Sequence, residues 1–341
     1  MARMSIDTLA DARLLVVTGK GGTGKTTVAA VIAVAAADRG RRVLVVEVEG
    51  RQALAGLFGR GSLSYQETRV AGRVHGLAVD PEESLREYLG RFGAAPLSRL
   101  LTWARLTRFI TAAAPGLGDV LLVGKVWEAA TRVRDGRPAY DLVVLDAPPT
   151  GRVVPFLRAP ETVAELARVG PIRHQADQVK GLLDDPARTR VVITCLPEEL
   201  PVTETVEGIA LLRAAGLPLG PVVVNQVVAD RLGKRSRRLA ALARDATPLS
   251  AAGLQAGAEL DQAALAVLLG EARDRQRQVA AQRRLIGELQ AGAGGLPVVE
   301  LPFLSDGAAG PDSVRLLAGI LGGAGPGSAE EPASAPARAR A

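Results

Sequence analysis

Cysteine is almost absent from this sequence of 341 residues, and its scarcity excludes several kinds of site. The single cysteine, Cys195, can neither form a disulfide within the chain nor supply a cluster of thiolate ligands for a metal ion. Cys195 ends an apolar run, so we interpret it as an inert core residue. His75 and His174 are too isolated in the sequence to predict a metal site.

Aromatic residues and lysines are scarce as well. Aromatic residues make up 3% of the chain and hydrophobic residues 48%, which predicts an aliphatic core. Five of the 42 basic residues are lysines, so 42 − 5 = 37 are arginines. The net charge of +6 is scattered except for the run Arg231–Arg238, which we interpret as a solvated helix face. Nucleic acid is therefore not an expected partner.

Long apolar segments are missing too. No charge-free apolar run reaches the roughly 18–20 residues that cross a bilayer. The first residues, Met1–Asp11, lack the apolar core of a signal peptide. We therefore expect a cytoplasmic protein.

One glycine-rich stretch carries the chemistry of the sequence. Residues 14–18 are branched and free of charge, which predicts a buried parallel strand, and an alanine-rich run that predicts a helix extends to about Asp38. Between them lies G-x-x-x-x-G-K-T, the phosphate-binding loop (P-loop) of nucleoside triphosphatases. The candidate nucleotide-binding residues are Gly19, Lys20, Gly21, Gly22, Thr23, Gly24, Lys25, Thr26 and Thr27.

Each residue type in this loop has a physical role. Glycines let backbone N–H groups wrap around a phosphate, and the following helix adds the positive end of its dipole. Lys25 supplies an ammonium group for the outer phosphates, and the hydroxyl of Thr26 can ligate Mg²⁺.

The same stretch also matches G-x-G-x-x-G, the motif of dinucleotide-binding folds. Gly19, Gly21 and Gly24 fit it, and Glu47 and Glu49 lie about where an acid that binds ribose is expected. The Lys-Thr pair directly after the last glycine argues against this alternative, because a dinucleotide site has no use for a buried ammonium group. We therefore favour a nucleoside triphosphate.

A second motif predicts where the metal ion binds. Tyr140–Leu145 reads as a buried strand, and Asp146 follows it at the start of a sharp turn that runs to Gly151. A hydrophobic strand ending in aspartate beside a P-loop holds Mg²⁺, often through water. Thr26 and Asp146 are thus the candidate metal residues.

Alternating strands and helices predict one α/β domain over residues 12–322, with a doubly wound, mainly parallel sheet. Residues 82–135 read as a helical insertion subdomain, and either partner binding or plain packing on the sheet would explain it. We expect an N-terminal extension at 1–11 and a disordered tail at 323–341. Further strands are predicted at 41–48, 75–79, 190–195, 221–224 and 297–300.

The additional lysine after the first glycine, Lys20, makes this the deviant P-loop of the signature-lysine ATPases. Together with Asp-Ala-Pro-Pro-Thr-Gly at 146–151, the stretch Glu198–Thr205, Val-Asn-Gln at 224–226 and the late Leu-Pro loop, the chain resembles ArsA-type ATPases from about residue 12 to 322. That family includes arsenite-pump ATPases and targeting ATPases for tail-anchored membrane proteins. Val-Glu-Val-Glu-Gly-Arg-Gln at 46–52 is similar to the actinobacterial branch, whose members occur as paralogous pairs.

The resemblance implies roles for single residues. Lys20 would reach across a dimer interface to the partner's nucleotide, as an arginine finger does. Asn225, with the loop of Pro302 and Phe303, would hold the adenine. The implied catalytic residues are Lys20, Lys25, Glu49 and Asp146.

The first switch loop departs from the family pattern. The family has an aspartate followed by Pro-Ala-His that orients the attacking water, whereas Glu49 is followed here by Gly-Arg-Gln. We assign the water to Glu49, and we assign Glu47 to waters of Mg²⁺ or to a structural role. The choice between the two glutamates stays open.

These features predict a Mg²⁺-dependent enzyme that hydrolyses ATP to ADP and phosphate. The resemblance implies a homodimer, or a heterodimer with a paralogous ATPase, with switch loops at Glu49–Leu54 and Asp146–Gly151. Three roles remain open: a targeting or chaperone-like ATPase with a membrane-protein client, the ATPase subunit of an anion or metalloid efflux system, and a partition switch. The three thiolates of arsenite pumps and the Cys-x-x-Cys zinc site of eukaryotic targeting ATPases are both missing.

Overall fold

The computed structural model describes residues 12–48, 50, 52–91, 116–166, 171–231, 233, 242, 245, 247–304 and 310–323. Its strands are β1 Leu14–Gly19, β2 Val43–Glu47, β3 Thr68–Ala71, β4 Val74–Ala78, β5 Val133–Arg134, β6 Arg137–Pro138, β7 Leu142–Asp146, β8 Thr189–Cys195, β9 Leu219–Val227 and β10 Val298–Pro302. Its helices are α1 Lys25–Asp38, α2 Ala53–Leu57, α3 Pro81–Arg91, α4 Leu117–Thr131, α5 Thr150–Leu166, α6 Pro171–Leu183, α7 Glu199–Ala214, α8 Thr247–Gln255, α9 Gln262–Gly292 and α10 Pro311–Leu321.

Eight of these strands form one sheet in the order β10-β9-β8-β1-β7-β2-β4-β3. All neighbours in it are parallel except β3, which runs antiparallel to β4 at the edge. The predicted mainly parallel, doubly wound α/β fold is therefore confirmed. Parallel strands need a crossover on each connection, and this requirement covers both faces of the sheet with helices.

The alternation of side chains along the strands creates two hydrophobic cores. In β1, Leu14 and Val16 point to the face covered by α4–α7 and α9, and Leu15 and Val17 point to the face covered by α1 and α10. All four are at most 1% exposed, as expected for a central strand of a parallel sheet.

Helix α1 is apolar on every side, since its residues 28–36 are all buried. A helix of this composition is stable only between two layers, and α1 lies between the sheet and α10. Its first turn is thereby held at the carboxyl end of the central strand β1, where ligands of open α/β sheets bind.

The structure corrects several predicted boundaries. Residues 133–138 form a two-stranded ribbon with Asp135 and Gly136 at positive φ in its turn, whereas residues 133–135 were expected to belong to the helical insertion. The pair Asp-Gly is a strong hairpin signal, and the helical assignment did not take it into account. The edge strand β3 was not predicted either. Asn225 and Pro302 lie within β9 and β10, not after them.

Several predictions fall outside the described residues. These are the N-terminal extension at 1–11, residues 92–115 of the helical insertion, most of the run Arg231–Arg238 and the tail beyond residue 323. Among the helices that the structure describes, none is both long enough and apolar enough to cross a membrane.

Candidate functional site

The loop between β1 and α1 is packed tightly from behind. Gly19 has φ +153°, and a Cβ there would lie 2.2 Å from Thr194 Oγ1. Gly24 has φ +86°, and a Cβ there would lie 2.3 Å from Asn225 Nδ2. Both positions therefore require glycine for conformation and for space.

The front of the same loop is open. A Cβ on Gly21 would meet no heavy atom within 4 Å, and neither would one on Gly22, whose φ is +85°. The loop thus forms a concave backbone surface with free space before it, which fits a phosphate group.

Two polar side chains hold the loop in this shape. Asn225 donates from Nδ2 to the carbonyl oxygen of Thr23 at 3.2 Å, and Thr23 Oγ1 lies 2.7 Å from Thr194 Oγ1. Asn225 is only 4% exposed. The structure therefore places Asn225 behind the P-loop, and its contact with adenine stays a prediction.

The start of α1 is free of local competitors for an anion. Gly24 is its N-cap, no side chain caps it, and its first turn contains no acidic residue. The N–H groups of the first turn are then available to a phosphate. Lys25 is 8% exposed, and its ammonium group donates to the carbonyl oxygen of Lys20 at 3.4 Å, so it lies against the same loop.

The candidate Mg²⁺ residues meet beside this helix. Thr26 donates from Oγ1 to Asp146 Oδ2 at 2.7 Å. Asp146, 8% exposed, is the last residue of β7 and is paired in register with Glu47, the last residue of β2. Side chains paired across parallel strands share a face of the sheet, so both carboxylates face α1.

This arrangement fits Mg²⁺ bound together with a nucleotide. Within the described chain, no group of three or more His, Cys, Asp or Glu side chains could hold a metal on its own. Mg²⁺ in nucleotide sites typically uses one or two carboxylates and takes its other ligands from phosphate and water. A hydroxyl and two carboxylates beside a phosphate cradle meet that requirement.

The loop after Asp146 is tied to the P-loop strand. Thr18 donates from Oγ1 to the carbonyl oxygen of Pro148 at 2.8 Å, and α5 begins two residues later at Thr150. A Cβ on Gly208 of α7 would lie 2.6 Å from Thr150 Cγ2, so α7 packs closely on this turn. The predicted second switch loop thus contacts both β1 and α7.

Lys20 has a partner that the sequence analysis missed. Its side chain is 56% exposed, and Nζ lies 2.5 Å from Glu204 Oε1 on α7. Glu204 belongs to the stretch Glu198–Thr205, on which the family resemblance partly rests. The presence of Glu204 in that stretch is the signal that could have identified it as the partner of Lys20. No spacing rule links two residues 184 positions apart.

Of the remaining predicted residues, the structure places Pro302 and Phe303 at a neighbouring strand end. Glu49 lies outside the described residues. Pro302 ends β10, and the exposed Phe303 donates its backbone N–H to Val227 at the end of β9. The strand ends that carry the candidate adenine residues are therefore adjacent.

Cys195 has no features of a ligand or nucleophile. It is completely buried at the end of β8, and burial raises the pKa of its thiol to about 11. A thiol that stays protonated at neutral pH neither binds metalloids nor reacts readily.

Comparison with known proteins agrees with this geometry. A family model described as "Anion-transporting ATPase" matches residues 12–175 and 165–244. The ATPase BagA of Mycobacterium tuberculosis is 41% identical over 307 residues, which cover 88% of this chain and 89% of the relative. The ATPase GET3 of Kluyveromyces lactis is 25% identical over 262 residues, covering 66% and 74% of the two chains. ARSA1 of Chlamydomonas reinhardtii is 24% identical over 286 residues, covering 67% and 37%.

The deviant P-loop, the aspartate that ends β7, the matching family model and these relatives all lead to one assignment. The chain belongs to the ArsA-type family of anion-transporting ATPases and is an enzyme that hydrolyses ATP.

Proposed function

We propose that the chain is a dimeric, cytoplasmic switch that uses Mg²⁺ and ATP to handle a client protein with apolar side chains. The observation that carries this proposal is a short connection, along the chain and through one ion pair, between the nucleotide site and an apolar cavity. It begins at Asp146, which accepts a hydrogen bond from Thr26, and reaches Arg152 six residues later.

Arg152 connects the second switch loop to the helical part of the chain. Its Nη2 donates to Asp119 Oδ1 at 3.0 Å, and Asp119 lies in the first turn of α4. A change in the loop at Asp146–Gly151 when the γ-phosphate is bound or lost would therefore shift the start of α4. Order changes of this kind in switch loops are the usual output of nucleotide hydrolysis.

The cavity beside α4 would receive the client. It has a volume of about 180 Å³ and lies among α3, α4, α5 and α6. The size resembles that of cavities that bind benzene, so it suits one large apolar side chain better than a whole helix. Its apolar walls include Leu85, Leu117, Val120, Leu121, Ala176 and Val179.

A pair of opposite charges marks the edge of this cavity. Lys125 Nζ donates to Glu87 Oε2 at 2.7 Å, and Tyr65 donates to the same oxygen at 2.6 Å. Lys125 is 13% exposed. An apolar pocket with a few fixed polar groups is the usual form of a specific binding site.

The proposed dimer partner is a second copy or a paralogous ATPase. The exposure of Lys20 supports it, because 56% of its side chain is accessible, whereas Lys25 is only 8% exposed and lies against its own loop. To act on a partner's nucleotide, Lys20 must leave Glu204. An exposed ion pair is worth at most about 1 kcal/mol, so a phosphate group can compete for the lysine.

Within each site the chain's own residues position charge. The backbone of the loop and Lys25 would bind the phosphates, and Thr26 and Asp146 would hold Mg²⁺, which would supply positive charge at the phosphate oxygens. We propose Glu49 as the residue that orients the attacking water. Positioning and preorganised charge of this kind account for most of the catalysis of phosphoryl transfer.

An efflux role has less support. Three thiolates would be needed for arsenite in the manner of the arsenite pumps, and the sequence has one cysteine, which is buried. In the described part of the chain, no observation favours a partition switch acting on a membrane or on DNA.

The test is the response of ATP hydrolysis to an apolar client. We expect a detergent-solubilised peptide of a single membrane-spanning segment to change the turnover of the wild-type chain. Asp119→Asn should keep basal turnover and lose most of this response, because the link to Arg152 is weakened. Asp177→Asn, which removes the partner of Arg173 in another exposed pair, is the matched control. An equal response in all three proteins would contradict the coupling path, and no response in the wild type would contradict the client.

A further inference from the structure

Glu47 is a buried acid whose two oxygens differ. Its side chain is 2% exposed at the end of β2, and Oε2 accepts a hydrogen bond from the backbone N–H of Leu54 at 3.2 Å. Oε1 is also buried and has no hydrogen-bond partner within the described chain. Most buried polar atoms are paired, so an oxygen without a donor needs an explanation.

The surroundings of Glu47 point to a cation. Asp146 is its register partner on the next strand, and Thr26 reaches Asp146 from the first turn of α1. Val45 and Val144, two residues earlier on the same strands, pack in the core that contains α1, so the carboxylates face that helix as well. Two neighbouring carboxylates with an unused oxygen favour a divalent ion or its waters.

A structural role alone explains only one of the two carboxylate oxygens of Glu47. The bond from Leu54 anchors the start of the five-residue helix α2 and uses one oxygen. A neutral acceptor would serve that purpose without placing a second carboxylate beside Asp146. The bond to Leu54 therefore does not account for the buried, unpaired Oε1.

We propose that Glu47 is a positioning residue for the metal ion: Oε1 accepts hydrogen bonds from the water shell of the nucleotide-bound Mg²⁺, while Oε2 holds α2. Through these two oxygens the metal is coupled to Leu54 in the first turn of α2. This inference rests on the proposed Mg²⁺-nucleotide site and adds a residue and a connection to it.

The first test measures metal binding, with Mn²⁺ as a spectroscopic substitute for Mg²⁺. Glu47→Gln keeps an acceptor for Leu54 and removes the charge. We expect it to weaken binding of Mn²⁺ to the protein–ADP complex by about tenfold or more, the usual effect of losing a group that holds a metal's ligands. Affinity for ADP without metal should change by less than about twofold, because Glu47 would act on the nucleotide only through the metal.

The control is Glu300→Gln, which alters a strand carboxylate paired with Arg283 at the other edge of the sheet. It should bind Mn²⁺ as the wild type does. If Glu47→Gln also binds Mn²⁺ like the wild type, the inference is wrong. If the wild type itself does not bind Mn²⁺ with ADP, the proposed nucleotide site is wrong instead.

A second measurement needs no variant and so does not depend on the folding of Glu47→Gln. Amide hydrogen exchange at Leu54 in the wild-type–ADP complex should slow by several-fold when Mg²⁺ is added, because the metal fixes the acceptor of that N–H. Exchange at Leu54 that is the same with and without Mg²⁺ would overturn the coupling.

Discussion

Lys25 is the single residue that most supports the phosphate ligand that we propose for this loop. Its ammonium group is 8% exposed and belongs to the first residue of α1, where the helix dipole is positive. Burial and the dipole both disfavour a cation at that position. A bound phosphate reverses both effects, so the residue is costly without a ligand and favourable with one.

Lys25→Ala should therefore lower ATP turnover by at least about a hundredfold, the scale of losing a contact to charge that develops in the transition state. Phosphate release under saturating ATP and Mg²⁺ measures it. Lys180→Ala is the control, since that lysine pairs with Asp184 and Glu161 on the surface. Turnover in Lys25→Ala equal to that of the control would refute the P-loop assignment.

Lys20 is expected to behave differently. Lys20→Ala should bind nucleotide nearly as well as the wild type and lose about a hundredfold in turnover, because the contact we propose for it forms only in the dimer. Glu204→Gln should release Lys20 and shift half-maximal turnover to a protein concentration a few-fold lower. Unchanged turnover in Lys20→Ala, measured with ADP affinity in parallel, would contradict a role for this lysine across the interface.

At the scale of single residues, the sequence predicts those functional groups that must lie at a fixed spacing within one short segment. The loop, Thr26 and Asp146 were found because motif and strand signals are local. The pairing of Lys20 with Glu204 and the packing of Asn225 behind Gly24 were not found. Both depend on how β8, α7 and β9 come together, which no short window of sequence contains.

Among the elements, α5 connects the second switch loop to the neighbouring helix α4 and to the core under the sheet. It begins at Thr150, contacts α4 through Arg152, and buries Phe156 completely in the core beneath the sheet. Pro155 and Pro160 lie inside this helix, which is an exception to the rule that proline ends helices. Packing on α4 and α6 stabilises it despite the missing backbone donors.

Phe156→Ala should lower the free energy of unfolding by about 3–5 kcal/mol, because the cavity left in a close-packed core cannot fully collapse. Urea denaturation followed by circular dichroism measures the change. Phe303→Ala removes a side chain that is 44% exposed and should have little effect on stability. Equal midpoints for the two variants would show that α5 is not packed as described.

Among the strands, those with continuous apolar runs were predicted, and the short, exposed ones were not. The central strands are continuous apolar runs, so their positions were predicted to within about two residues. The edge strand β3 and the ribbon of β5 and β6 are largely exposed, and their sequences lack that signal. The antiparallel ribbon is defined mainly by its turn at Asp135 and Gly136.

Across the whole molecule, a half-buried ionic cluster joins segments far apart in the chain. Glu67 accepts hydrogen bonds from Arg132 at 2.5 Å and from Tyr140 at 2.8 Å, and Arg132 also pairs with Glu128 of α4. Burial alone would raise the pKa of Glu67, but the bonds from Arg132 and Tyr140 outweigh it and lower that pKa. The same arrangement raises the pKa of Arg132.

The sign of this shift predicts an acid-sensitive contribution to stability. A carboxyl group with a lowered pKa in the folded state stabilises the fold above its unfolded pKa of about 4.5, and this contribution is lost as the pH falls through the folded pKa. Glu67→Gln should therefore be less stable than the wild type at pH 7, and the difference should shrink below about pH 4.5. A difference that does not change with pH, in denaturation measured from pH 7 to 3, would contradict the assignment.

At the scale of the chain, all of the proposed chemistry takes place at one nucleotide site, formed by the loop between β1 and α1. Calorimetric titration of the purified chain with ADP in the presence of Mg²⁺ tests this most directly. We expect heat of binding that saturates at one nucleotide per chain, and loss of most of that heat in Lys25→Ala. No heat in the wild type, or the same isotherm in Lys25→Ala, would contradict it.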